Sequence, residues 1–253
     1  MTVRDLYEKL CACMPECDRE EWDNDGIMCC ADSSSEICNV LITLDVTEEV
    51  VDYAIDHNFD LIISHHPLVF RPITSLTEEH HVSRKLIKLV SHNITVFSFH
   101  TRADKAVGGV NDTLAGLFNL SEVESFGEGR LGRVGYLPEE CELDEFLELV
   151  KTSLSAEGVR YADGYTTVHR VAVVGGDGKD FVRAALECGA DTYVSGRLSY
   201  NVMEEASELG INLIEAGHYY TEAPVTRFFA DLVASFDGNA YIEIVDSNMI
   251  KQY

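Results

Sequence analysis

The feature that most constrains this chain is a pattern that occurs twice. Val40-Leu41-Ile42-Thr43-Leu44, a helical stretch and Asp60-Leu61-Ile62-Ile63-Ser64 are matched by Val171-Ala172-Val173-Val174, a helical stretch and Asp191-Thr192-Tyr193-Val194-Ser195. The offset is the same at both places (171 − 40 and 191 − 60 give 131). Short, unbroken apolar runs that alternate with amphipathic stretches predict buried strands joined by crossover helices. Each half then runs helix, strand, His, acid and helix, with His100 four residues before Asp104 and His218 four before Glu222. The expectation is an α/β protein of two similar lobes arising from duplication, with mixed sheets flanked by helices.

Strands are predicted at 40–44, 61–63, 94–99, 171–174, 192–195, 211–215 and 241–245. Helices are predicted near 3–13, 47–55, 83–92, 111–117, 143–154, 180–187, 201–208 and 222–234. Pro15 closes the first helix, and Thr47 caps the second. Residues 121–139 are rich in glycine and turn formers, so they read as the boundary between an N-terminal lobe, 1–125, and a C-terminal lobe, 126–253.

Charge narrows the partners. The 19 Lys+Arg against 44 Asp+Glu give a net charge of −25. Such a surface repels phosphate backbones, which argues against general nucleic-acid binding, and it favours cations. The opening Met1-Thr2-Val3-Arg4-Asp5-Leu6 has no basic segment before an apolar core, and no apolar run approaches a membrane span. The expected setting is cytoplasmic, with no membrane partner and reduced thiols. Cys11, Cys13, Cys17, Cys29, Cys30 and Cys38 lack paired metal-site spacing and are expected to be small core residues, with thiol-based metal handling as the alternative.

Three segments follow directly on strands, where open α/β sheets place their ligands. They are Ser64-His65-His66-Pro67, His100-Thr101-Arg102-Ala103-Asp104 and Gly217-His218-Tyr219-Tyr220-Thr221-Glu222. Adjacent histidines on an extended backbone point to opposite sides, so His65 and His66 suit two different ions, or one ion and one structural partner. Imidazoles with two carboxylates suit Zn²⁺, Mn²⁺ or Fe²⁺ better than Ca²⁺ or Mg²⁺, and Asp104 or Glu222 could bridge a pair of ions. His80-His81 lies in a polar stretch and reads as solvated; His57, His92 and His169 also lack this context. Trp22 reads as core packing, and Asp23-Asn24-Asp25-Gly26 as a turn. In Gly175-Gly176-Asp177-Gly178 the third glycine of a dinucleotide fingerprint is replaced by Phe181, which argues against a nicotinamide site.

Taken in order, Trp22-Asp23-Asn24-Asp25-Gly26, Leu44-Asp45-Val46-Thr47, Ser64-His65-His66-Pro67-Leu68-Val69-Phe70, His100-Thr101, Asp104, Gly108-Gly109-Val110-Asn111-Asp112 and Gly217-His218-Tyr219-Tyr220-Thr221-Glu222 resemble the NGG-interacting factor three-like family, also labelled GTP cyclohydrolase 1 type 2 homologue. The match spans about residues 20–232. The resemblance implies a dinuclear metal site in the cleft between the lobes, with two divalent ions on His65, His66, Asp104, His218 and Glu222. His100 would then orient a ligand or bound water and, with Glu222, take part in catalysis. It also implies a ring of dimers, a hexamer, and the short form without an inserted middle domain.

The chain departs from the family pattern at Arg102-Ala103, at Gly196-Arg197 and at Cys29-Cys30. Arg102, Lys105 and Arg197 are expected to line the cleft and offset the acidic field for an anionic substrate. The function so implied is a metal-dependent hydrolase acting on a small molecule, with a nucleotide among the candidates. The alternative is a metal-stabilised oligomeric scaffold or regulatory protein.

Overall fold

The computed structural model describes residues 1–250. Its strands, in chain order, are β1 (Gly26–Cys29), β2 (Asn39–Thr43), β3 (Leu61–Ser64), β4 (Thr95–Ser98), β5 (Ser121–Phe126), β6 (Gly132–Cys141), β7 (Arg160–Ala162), β8 (Val168–Val174), β9 (Thr192–Ser195), β10 (Asn212–Glu215) and β11 (Tyr241–Ile244). They form two mixed sheets flanked by helices, in the orders β1-β4-β3-β2-β11 and β5-β6-β8-β9-β10-β7.

The chain divides into two compact units. The first is Met1–Ala106 with the segment that begins at Val225, and the second is Val107–Pro224. This differs from a cut between 125 and 126. The last helix, Val225–Phe236, and β11 return to the first unit, where β11 pairs in parallel with β2. The glycine-rich stretch 121–139 is not a linker either: β5 and β6 pair antiparallel there. Its glycines serve the hairpin, since Gly127 and Gly129 turn with positive φ and a Cβ at Gly135 would strike the Ser121 carbonyl.

In the first unit, β2, β3 and β4 are parallel, as crossover helices require, and β1 pairs antiparallel with β4. Thr47 Oγ1 accepts the Val50 amide at 3.2 Å and so starts the helix Glu48–Asp56. That helix packs Val50, Val51 and Ala54 against Leu41, Ile62 and Val96 of the sheet. In the second unit, alternate residues of β8 serve two cores. Val171 and Val173 join Phe146 and Val150 on one face, while Ala172 and Val174 join Val182 and Ala185 on the other.

The repeat extends to individual bonds. Asp60 accepts the amides of Cys38 and Asn39, both at 2.8 Å. Asp191 accepts those of His169 and Arg170, the latter at 2.7 Å. Strand registers agree as well, with Val40 opposite Leu61 and Val171 opposite Thr192. The aspartate that precedes each second strand therefore clamps the start of the first.

Three local expectations are corrected. Trp22 is not core: it is 62% exposed. The N-terminal cysteines are not core either, for Cys13, Cys17 and Cys38 are exposed and Cys11, Cys29 and Cys30 half-buried. The buried face of the helix Val3–Cys13 is already filled by Val3, Leu6 and Leu10, and Cys11 and Cys13 fall off that stripe. Finally, Pro224 divides the expected helix 222–234, so that Glu222 ends a short helix, His218–Glu222, and a second begins at Val225.

Candidate metal centre

Three histidines of the first unit converge. One ring nitrogen from each of His65, His66 and His100 lies within 4.8 Å of the others. His65 and His66 leave the end of β3, and His100 leaves the end of β4, the strand beside it. Neighbouring parallel strands end at one edge of the sheet, which brings residues 34 positions apart together.

Each ring is held by its other nitrogen. His65 Nδ1 donates to the Phe99 carbonyl at 3.0 Å, His66 Nδ1 to Asp45 Oδ1 at 2.7 Å and His100 Nδ1 to Asp23 Oδ1 at 2.8 Å. These partners can only accept, so the proton is fixed on Nδ1 and each ring presents Nε2. Metal-binding imidazoles are oriented in the same way. Asp104 Oδ1 lies 3.6 Å from His65 Nε2 and adds a carboxylate to the set. A mixed imidazole and carboxylate set of this kind fits a divalent transition ion.

The supporting shell is charged. Asp23 is buried and also accepts the Thr101 amide at 3.1 Å and its hydroxyl at 2.6 Å. Burial alone would raise the Asp23 pKa; the hydrogen bond and charge of His100 and the two bonds from Thr101 outweigh it and lower the pKa to about 2. Burial likewise opposes a charge on His100. The Asp23 bond and the charges of Asp104 and Asp23 win, so its pKa lies above the ordinary imidazole range. The cluster is thus a place that favours positive charge.

In the second unit, His218 Nε2 lies 3.0 Å from Glu222 Oε2, one helical turn apart. Glu222 is buried, and Gly176 makes the room for it. A Cβ at Gly176 would overlap Glu222 Oε1, and its φ of +65° already favours glycine. Thr221 Oγ1 accepts the Gly176 amide at 3.1 Å, which locks this loop to the short helix. The Gly175–Gly178 run thus seats a carboxylate.

Two of the cations expected near a substrate have other work. Arg102 is fully buried. Its Nε donates to Asp25 Oδ2 and its guanidinium to the Met14 carbonyl, both at 2.9 Å, and it lies over the Phe99 ring. Lys105 pairs with Glu20. Arg197 is exposed, 3.9 Å from Asp177. The Asp23-Asn24-Asp25-Gly26 run is likewise no simple turn, since Asp23 and Asp25 are the buried anions that hold His100, Thr101 and Arg102. His80 and His81 are exposed, as expected. Asp45 and Asp23 were not predicted as supports of His66 and His100, because contacts between residues 21 and 77 positions apart leave no spacing signature.

The sequence profile of the Duf34/NIF3 (NGG1p interacting factor 3) family matches residues 1–252. The chain belongs to the Duf34/NIF3 family. A Clostridium perfringens relative named GTP cyclohydrolase 1 type 2 homolog is 36% identical over 216 residues, covering 82% of this chain and 81% of that protein. A crystal structure of a Staphylococcus aureus protein superposes with a TM-score of 0.89 at 25% identity, covering 100% of this chain and 99% of that one. Reduced HcgD from Methanocaldococcus jannaschii gives 0.84 at 29% identity, covering 96% and 97%. Within this Duf34/NIF3 chain, the departure at Arg102-Ala103 is structural: the arginine turns inward to Asp25 and away from solvent. No helix of the described residues is long and apolar enough to cross a membrane.

Proposed function

We propose that this Duf34/NIF3 chain is a metal-dependent hydrolase that holds two divalent ions, of zinc, manganese or iron, through His65, His66, Asp104, His218 and Glu222. The observation that carries the reading is the set of three imidazoles, each with Nδ1 tied to an acceptor and Nε2 presented. His218 and Glu222 join the set on their chemistry, a histidine and a seated carboxylate 3.0 Å apart after the equivalent strand of the repeat. Bound ions would supply Lewis acidity toward water and toward the group attacked.

The chain's own groups do the rest. Asp45 and the Phe99 carbonyl keep His66 and His65 in the tautomer a ligand needs. His100, steadied by Asp23 at Nδ1, has a second nitrogen that can exchange a proton with the reacting molecule. Glu222 and Asp104 would hold bound ions and offset their charge. The printed name of the relatives makes a nucleotide the first substrate to try, and the family resemblance makes a homo-oligomeric ring the assembly to look for.

The test is metal analysis of the purified protein, followed by a screen on GTP, phosphoesters and dipeptides before and after chelation. Metal-dependent turnover of one class is expected. Loaded protein that turns over none of them overturns the hydrolase, and protein that retains no ion from solution overturns the metal site. Glu222→Gln separates catalysis from assembly, as it should abolish turnover and leave the particle mass, measured by light scattering, unchanged.

A further inference from the structure

The loop before β1 carries the chain's single tryptophan, and the fold leaves it in water. Trp22 is 62% exposed and Phe70 is 44% exposed. Their ring centroids are 6.2 Å apart, and they lie 6.0 Å and 6.4 Å from that of His100. All three contacts are edge-to-face, so no ring in the trio stacks flat on another.

Neither exposed ring rides on a slack loop. The Glu20 amide donates to Thr101 Oγ1 at 3.1 Å, and the Asp23 amide closes a turn on the Glu20 carbonyl at 3.0 Å. Asp23 is itself pinned to Thr101 and His100. The Asn24 side-chain amide bonds the Val69 carbonyl, which ties this turn to the segment carrying Phe70. Trp22 is therefore fixed on both sides while its ring stays wet. Aromatic surface held in place without a ligand costs little further ordering when a ligand arrives. Glu20, Glu21 and Arg71 adjoin the two aromatic residues in the chain, and two fixed rings set edge-to-face beside an imidazole suit one flat molecule.

We infer that Trp22 and Phe70 form a stacking platform for the planar aromatic or heteroaromatic ring of the molecule that reacts beside His100. This rests on the imidazole cluster as the reacting site and adds the class of its substrate.

The lone tryptophan reports on its own platform. Fluorescence of the purified protein would be followed during addition of guanosine or nicotinamide, with ribose 5-phosphate as the control without an aromatic ring. Saturable quenching by at least one ring compound, and none by the sugar phosphate, is expected. By calorimetry Trp22→Ala should weaken that binding roughly ten- to a hundred-fold, and Trp22→Phe should restore most of it. Absence of quenching by both rings, or unchanged binding to Trp22→Ala, overturns the platform. So does emission that shifts with protein concentration alone, which would make Trp22 part of a self-association surface. Metal content measured on the same samples separates the two ideas: lost ring binding with metal retained counts against the platform only, and absent metal counts against the hydrolase.

Discussion

The hydroxyl of Ser247 accepts the amide of Asp45 at 3.0 Å and lies 3.4 Å from Asp45 Oδ2, while Oδ1 of the same carboxylate holds His66. A serine beyond the last strand thus braces the aspartate that orients a proposed metal ligand. Partners of this kind are typically worth 10–100-fold in metal affinity. Asp45→Asn should weaken zinc or manganese binding by about that much, and Ser247→Ala by about tenfold or less, both read by calorimetry. In metal-free protein the same variants should shift the ¹⁵N resonances of the His66 ring, and Ser247→Thr should restore them. Unaltered resonances would mean that Asp45 does not set the tautomer.

The Arg102–Asp25 pair is buried on both sides, with Nε and Oδ2 2.9 Å apart. Removing one partner strands the other charge away from water, at a cost of about 3–5 kcal/mol. Asp25→Asn and Arg102→Met should each lower the urea midpoint accordingly. Arg102→Lys should also fail, because one ammonium cannot reproduce the fork that reaches Asp25 and the Met14 carbonyl together. A change within about 0.5 kcal/mol would show that the pair has little effect on stability.

Glu48 receives Arg84 through two bonds of 2.9 Å, and these, with Lys88, bring its pKa from 4.5 to about 2. A carboxylate whose folded pKa is depressed stabilises the fold above its unfolded value and loses that effect as pH falls through the folded one. The Tm difference between wild type and Glu48→Gln should hold steady above about pH 5 and fade between pH 4.5 and about 2. Because these groups are half-buried and reached by solvent, the same difference should shrink in part in high salt. A gap that persists at pH 2 would trace the effect to packing.

Gly176→Ala tests the seat of Glu222. The added methyl meets Glu222 Oε1 on a backbone at φ +65°, so a carboxylate shift and a loss of about 1–3 kcal/mol are expected. Metal stoichiometry should fall while the far-UV circular dichroism spectrum is retained. Full metal occupancy in this variant would remove Glu222 from the ligand set.

The strands carrying His65, His66 and His100 were legible because a buried parallel strand leaves an unbroken apolar run, and the residues after it share one sheet edge. The repeat was legible for the same reason, including the matched Asp60 and Asp191, but the backbone amides those aspartates clamp were not. What holds the histidines was not. Asp23 and Asp45 act across long loops, and in one dimension Asp23 looks like part of a polar turn. Trp22 misled because a lone tryptophan normally goes inside, whereas here the adjacent Asp23 and Asn24 anchor the loop and leave the ring outside. Arg102 misled in the opposite sense, since nothing in its own neighbourhood announces Asp25 as a buried counter-charge.

The return of Val225–Phe236 and β11 to the first sheet sets an order of events during synthesis. All of Val107–Pro224 has been made before those elements exist. On the ribosome, the later-encoded unit can close its own sheet while the N-terminal one still lacks an edge strand and the Ser247 hydroxyl. This reverses the usual N-terminal-first sequence of domain folding. The imidazole cluster at the ends of β3 and β4 gains its final brace only once Ser247 has been made.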